Sequence, residues 1–104
     1  MKIIKLVHGE QLYLFLEGRL DASAASELEE VLDRDLEGIT ELIIDLEKLE
    51  YLSLAGAGVF FSAIEIMNRK GSMKVVHVND TIKEIFGATL QIMQTHINLL
   101  NQIF

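Results

Sequence analysis

The hydrophobic pattern near the N-terminus predicts a β-hairpin. Apolar residues dominate Lys2–Val7 and Leu12–Leu16, and the turn at residues 8–10 (His-Gly-Glu) separates the two runs. Side chains of the second strand alternate between its faces, with Leu12, Leu14 and Leu16 on one and Tyr13 and Phe15 on the other. Because both faces are apolar, we expect this strand to be covered on both sides, and we expect Gly18 to end it.

The acidic segment that follows predicts an amphipathic helix from about Ser23 to Leu36. Its apolar residues recur at the three-and-four spacing of a buried stripe: Leu28, Val31, Leu32 and Leu36. Either Asp21 or Ser23 can cap the N-terminus by accepting a hydrogen bond from an early backbone N–H. Gly38 supplies the left-handed residue that follows many helices.

A second strand and helix occupy the middle of the chain. The continuous apolar run within Glu41–Leu46 is typical of a central parallel strand covered on both faces. After a short turn, Ala55–Lys70 predicts an unusually apolar helix that ends at Gly71. Its polar residues form one narrow stripe: Ser62, Glu65 and Arg69. The rest of its surface is wider than one sheet contact needs, so either another helix of the domain or a partner covers the excess.

The last third of the chain continues the alternation. Met73–Val78 predicts a strand, and Asn79 or Asp80 can cap a short helix whose apolar residues are Ile82, Ile85 and Phe86. Residues 90–93 fit a last strand or a turn. A final helix is predicted from the spacing of Ile97, Leu100, Ile103 and Phe104. The pattern indicates one α/β domain over residues 1–104, with a mixed, mostly parallel sheet flanked by helices after an initial hairpin.

Composition narrows the classes of partner. Of the 104 residues, 50% are hydrophobic and 24% charged, and the net charge is −7. Ten of the sixteen acids lie between Glu27 and Glu50, opposed there only by Arg34 and Lys48. Nucleic acid is not expected as a partner, because phosphate binding needs a basic stripe. The acidic segment is either a solvated helix face or a surface that attracts a basic protein.

The sequence offers little catalytic chemistry. It contains no cysteine, and His8, His77 and His96 stand apart without the spacing of a metal site, so we expect no metal, no cofactor and no enzyme activity. His77 is expected to be a packed or edge residue of its strand. The N-terminal apolar run is too short for a signal peptide, and no run is long enough to insert into a membrane, which predicts a cytoplasmic protein.

The start of the apolar helix is the most informative segment. A strand followed by Leu54-Ala55-Gly56-Ala57-Gly58 presents free backbone N–H groups, which suit an anion or a partner. Residues 56–58 lack the third glycine and the lysine of a nucleotide loop, so we interpret them as close backbone packing. Ser53 is expected to be the N-cap rather than a phosphorylation site.

Four segments together resemble the STAS domain family, typified by bacterial anti-sigma factor antagonists. They are residues 18–23 (GRLDAS), residues 41–46 with 52–59 (ELIIDL and LSLAGAGV), residues 71–79 (GSMKVVHVN) and residues 81–86 (TIKEIF). In that family the antagonist binds an anti-sigma factor, commonly a serine kinase, which phosphorylates a hydroxyl in a D-S-S-G-L turn and so ends the interaction. The resemblance places Ala55 at the phosphorylated position and Ser53 at the aspartate position.

The resemblance therefore implies a protein-interaction regulator of the anti-sigma antagonist type without its phosphorylation switch. A phosphate would add roughly −1.5 to −2 charge to the turn, and a methyl group there removes that signal. The implied partner is an anti-sigma factor or a related serine-kinase-like protein, and a homodimer is left open. The expected contact residues are Ser53, Leu54, Ala55, Gly56, Ala57, Gly58, Phe61 and Ser62. Two alternatives remain: an accessory subunit of an ABC-type membrane transport assembly, and a nucleotide-binding protein that uses the helix N-terminus.

Overall fold

The computed structural model describes residues 1–92, with the side chains of residues 1–88. Its elements, in chain order, are β1 (Lys2–His8), β2 (Gln11–Leu20), α1 (Ala22–Asp35), β3 (Glu41–Asp45), β4 (Leu49–Leu52), α2 (Leu54–Lys70), β5 (Ser72–Val76) and α3 (Asp80–Ile92). The strands form one mixed sheet in the order β1-β2-β3-β5, and β4 pairs with β2 off this path. Among the strands of residues 1–92, only the β1–β2 pair is antiparallel, which confirms the initial hairpin and the mostly parallel sheet.

Strand β2 is longer than predicted, because Gly18 does not end it. This glycine has a φ of +101°, and the pairing of β2 shifts register between Gly18 and Arg19. A glycine accommodates such an irregularity because it has no Cβ to clash at positive φ. The strand thus continues to Leu20 and pairs in parallel with β4. Strand β4 lies where the sequence pattern predicted only a turn, since four residues carry too little periodicity to be recognised.

The core lies between one face of the sheet and the helices. On β2 the residues that face it are almost fully buried: Leu12, Leu14, Leu16 and Leu20. Tyr13 and Phe15 point to the opposite face, are only half-buried, and border surface grooves. The predicted cover on the second side of this strand is therefore not seen in the part of the chain that the structure describes.

Other helices of the same domain cover most of the wide apolar arc of α2, which confirms the first of the two alternatives for that part of its surface. Helices α1 and α3 both contact it. The rings of Phe60 and Phe61 on α2 meet Phe86 of α3 edge-on, with centroid separations of 5.3 and 6.4 Å. Such aromatic contacts add to the burial of three large side chains and fix α3 against the core.

Helix caps follow the sequence signals. Asp21, rather than Ser23, caps α1 by accepting a hydrogen bond from Ala24 N–H at 2.9 Å. Asn79, rather than Asp80, accepts one from Ile82 N–H at 2.9 Å at the start of α3. That helix continues to Ile92, so a strand or turn over residues 90–92 is wrong. The prediction for Met93 and that of a final helix lie outside the described residues. Over residues 1–92, no helix is long and apolar enough to cross a membrane.

Candidate functional site

The N-terminus of α2 is held by a serine cap and by the end of β2. Ser53 Oγ accepts a hydrogen bond from Gly56 N–H at 3.0 Å, and Ser53 C=O accepts one from Ala57 N–H at 2.9 Å. The Ser53 N–H donates to Leu20 C=O at 2.9 Å, which ties the turn to β2. The expected capping role of Ser53 is confirmed. Its hydroxyl is half-buried and engaged by the helix.

Gly56 allows this turn to lie close against β2. A Cβ at position 56 would be 2.7 Å from Leu20 Cγ, closer than real Cβ atoms come, and 3.0 Å from the Leu20 carbonyl oxygen, which is tighter than most real contacts. At Gly58, by contrast, nothing lies within 4 Å of the Cβ position. Close backbone packing thus accounts for the first glycine of the pair and does not account for the second.

The expected contact residues divide into a buried and an accessible group. Ala57 and Phe61 are 0% and 1% exposed, and Gly56 is also buried. These three residues belong to the core because they face β2 and the neighbouring helices, so the expectation that they contact a partner needs correction. Leu54 is 57% exposed. The other members of the accessible group are Ser53, Ala55, Gly58 and Ser62.

The accessible residues form a stripe along α2. Leu54, Gly58 and Ser62 succeed each other at intervals of four residues, which places them on one side of the helix. Ile66, four residues further, is 39% exposed and extends the stripe. At its beginning, the N–H groups of Leu54 and Ala55 have no hydrogen-bond partner among residues 1–92, as expected of a first helical turn. We call Leu54, Ala55, Gly58, Ser62 and Ile66 the α2 stripe.

A second constellation was missed by the sequence analysis. His77 Nδ1 lies 2.8 Å from Asp45 Oδ2, and one ligand atom from each of Asp45, Glu47 and His77 lies within 4.8 Å of the others. His77 is therefore neither packed nor isolated, but an exposed residue after β5 that meets the end of β3. The hydrogen bond that the His77 ring donates to Asp45 and the negative charge of this carboxylate raise the pKa of His77 above its ordinary value. No sequence spacing could reveal this group, because 32 residues separate Asp45 from His77.

Two grooves adjoin this constellation on the sheet face opposite the helices. One, of about 360 Å³, has walls that include Ile4, Phe15 and Asp45. The other, of about 340 Å³, includes Tyr13, Phe15, Asp45 and His77. Phe15 and Asp45 border both grooves, so the Asp45 carboxylate lies at the junction of two largely apolar grooves.

Comparison with known proteins decides the family. The sequence profile of the STAS domain matches residues 2–96, nearly the whole chain. The chain belongs to the STAS domain family. A search of curated proteins finds no match.

Solved structures agree with the fold of this STAS domain. The anti-sigma factor antagonist SpoIIAA in its unphosphorylated form aligns with a TM-score of 0.67 at 17% identity, over 83% of this chain and 82% of that chain. The Bacillus cell fate determinant SpoIIAA in the phosphorylated form aligns with a TM-score of 0.72 at 17% identity, over 85% and 83%. An antisigma-factor antagonist STAS domain from Rhodobacter sphaeroides gives 0.61 at 13% identity, over 73% and 85%. At these identities the likeness concerns the fold.

Proposed function

We propose that this STAS domain is a cytoplasmic protein-interaction regulator of the anti-sigma antagonist type, and that it works without a phosphorylation switch. Its partner is an anti-sigma factor or a related serine-kinase-like protein. Its contact surface is the α2 stripe, with Leu54 at the start of the helix as the main apolar anchor, and its role is binding rather than catalysis. The exposure of Leu54 at the first turn of α2 is the observation that carries the proposal.

The chemistry of the turn supports a permanent rather than a phosphate-gated contact. Two of the similar structures are an unphosphorylated and a phosphorylated form of SpoIIAA, so that protein accepts a phosphate. In this chain the resemblance aligns the acceptor with Ala55, which is exposed but has no hydroxyl. The nearby Ser53 hydroxyl already accepts the hydrogen bond from Gly56 N–H. Phosphorylating it would disturb a cap worth about 1 kcal/mol.

The apolar character of the stripe also favours a dry contact. Large exposed apolar side chains that become fully buried at an interface supply much of its free energy. Leu54 and Ile66 are such side chains, and Ala55, Gly58 and Ser62 between them are small enough for a partner to approach closely.

The test combines a gain and a loss of function. Each serine-kinase-like anti-sigma factor of the same genome is expressed singly, and its binding to this chain is measured with and without ATP. We expect the complex to persist with ATP and the intact mass of this chain to stay unchanged. The variant Ala55→Ser should gain one phosphate and release its partner, because the added charge faces an apolar contact.

A matched pair of variants tests the location of the surface. Leu54 and Leu6 are 57% and 55% exposed, on α2 and β1 respectively. Leu54→Glu should weaken binding by about tenfold or more, whereas Leu6→Glu should leave it unchanged. Equal loss in both variants, or a stoichiometric phosphate on Ser53 of the wild-type chain, contradicts the proposal.

A further inference from the structure

We propose that Asp45, Glu47 and His77 form a binding site for a divalent transition-metal ion of the zinc class. The site lies at the carboxyl ends of β3 and β5, and it is independent of the contact surface on α2. The inference rests on the convergence of three ligand-type side chains from two chain segments, at the junction of two grooves.

The backbone brings the two segments together. Strands β3 and β5 are parallel neighbours in which Asp45 is paired with Val76, and Leu46 N–H donates to Val76 C=O at 3.0 Å. His77 directly follows this pair, and Glu47 lies two residues after Asp45. Asp45 itself is anchored, because its Oδ1 accepts a hydrogen bond from Glu47 N–H at 2.9 Å and its side chain is only 14% exposed. One ligand position is thus fixed before an ion arrives.

The donor set suits a borderline cation. One imidazole nitrogen and two carboxylate oxygens are ligands that zinc accepts, with bonds of about 2.0–2.2 Å. The three ligand atoms, which lie within 4.8 Å of one another, must readjust their separations around such an ion. The Glu47 and His77 side chains are exposed and can make this adjustment. With His77 neutral, the group carries two negative charges, which match a divalent ion.

The imidazole distinguishes this group from an ordinary acidic cluster. His77 Nδ1 and Asp45 Oδ2, 2.8 Å apart, now share a hydrogen bond. An ion bound to both atoms would take the place of the proton between them. Three protein ligands leave at least one coordination position open. The grooves beside Asp45 have room there for water or for a ligand from another molecule.

Binding should therefore depend on pH. A proton competes with the ion for the His77 ring nitrogen, so affinity should fall as the pH is lowered. Asp45 and Glu47 are the charges that act on this imidazole. Glu41 and Lys74 line the same groove.

The experiment titrates zinc chloride into the tag-free, chelator-treated full chain and follows the heat of binding. Cobalt chloride serves as a spectroscopic probe of the ligand set. We expect one ion per chain, tighter binding at the higher pH, and visible cobalt absorption bands. His77→Asn should weaken zinc binding by about tenfold or more. Asparagine is chosen because His77 has a φ of +57°, a conformation that asparagine tolerates.

The control is another exposed histidine. His8 lies at the end of β1, outside this group, and His8→Asn should bind zinc as the wild-type chain does. Circular dichroism verifies that each variant is folded. Equal affinities of His77→Asn and the wild-type chain, or no binding up to about 1 mM zinc, would overturn the proposal.

Discussion

Two glycines on the first turns of α2 should respond to the same substitution with opposite signs. Gly56→Ala places a methyl group 2.7 Å from Leu20 Cγ and 3.0 Å from the Leu20 carbonyl oxygen. The side chain could turn away, but the backbone oxygen cannot without moving β2 or α2. Gly58→Ala places its methyl group in open space.

The magnitudes follow from these distances. Overpacking lowers the free energy of unfolding by about 1–3 kcal/mol, and the better helix propensity of alanine offsets at most about 1 kcal/mol of this loss. Gly56→Ala should therefore lower the free energy of unfolding by roughly 1–2 kcal/mol. In Gly58→Ala only the better helix propensity acts, so the free energy of unfolding should rise by about 0.5–1 kcal/mol.

Urea denaturation followed by circular dichroism measures both effects. With a slope of about 1–1.5 kcal/mol per M for a chain of this size, the midpoint should fall by roughly 0.7–2 M in Gly56→Ala and rise by roughly 0.3–1 M in Gly58→Ala. The slope itself should not change, since neither substitution alters how much surface is exposed on unfolding. Equal stabilisation by both alanines would refute the reasoning, because it would mean that α2 does not need to lie so close to Leu20.

Two further predictions concern the other end of α2 and the end of β5. Gly71→Ala should destabilise the fold by about 3 kcal/mol or more, because its Cβ would lie 1.8 Å from the Thr40 carbonyl oxygen. A melting temperature within a few degrees of the wild-type value would contradict this. The raised pKa of His77 means that its interaction with Asp45 stabilises the metal-free protein below about pH 6.5 and is lost as pH rises through the folded-state pKa. The loss of stability in His77→Asn should therefore be larger near pH 5.5 than near pH 8.5, and urea midpoints that differ from wild type equally at both pH values would argue against it.

Local patterns predicted most of the elements because each depends on neighbouring residues. The N-caps Asp21, Ser53 and Asn79 were among the caps that the sequence predicted, because a cap and its helix are adjacent in the sequence. The polar stripe of α2 was predicted for the same reason, because its residues recur along a single helix. Strand β4 and the continuation of β2 past Gly18 were not predicted, because both depend on pairing between segments about thirty residues apart.

The candidate site was predicted as a segment, but not as a surface. Sequence order placed residues 53–58 at a helix N-terminus, and the structure agrees. Sequence order alone could not show that Ala57 and Phe61 face the core while Leu54 faces solvent. That division depends on the rotation of α2 about its axis, which is set by packing against β2, α1 and α3.

The sequence by itself determined most of the helices and strands, the places where the helices begin, the class of fold and the family resemblance, since hydrophobic period and capping chemistry act over a few residues. Tertiary structure alone decided which side of α2 is open and which glycine must remain a glycine. It also brought His77 to Asp45 across two parallel strands. The physical reason is that burial and convergence arise from the docking of separate elements, and no local pattern contains that docking.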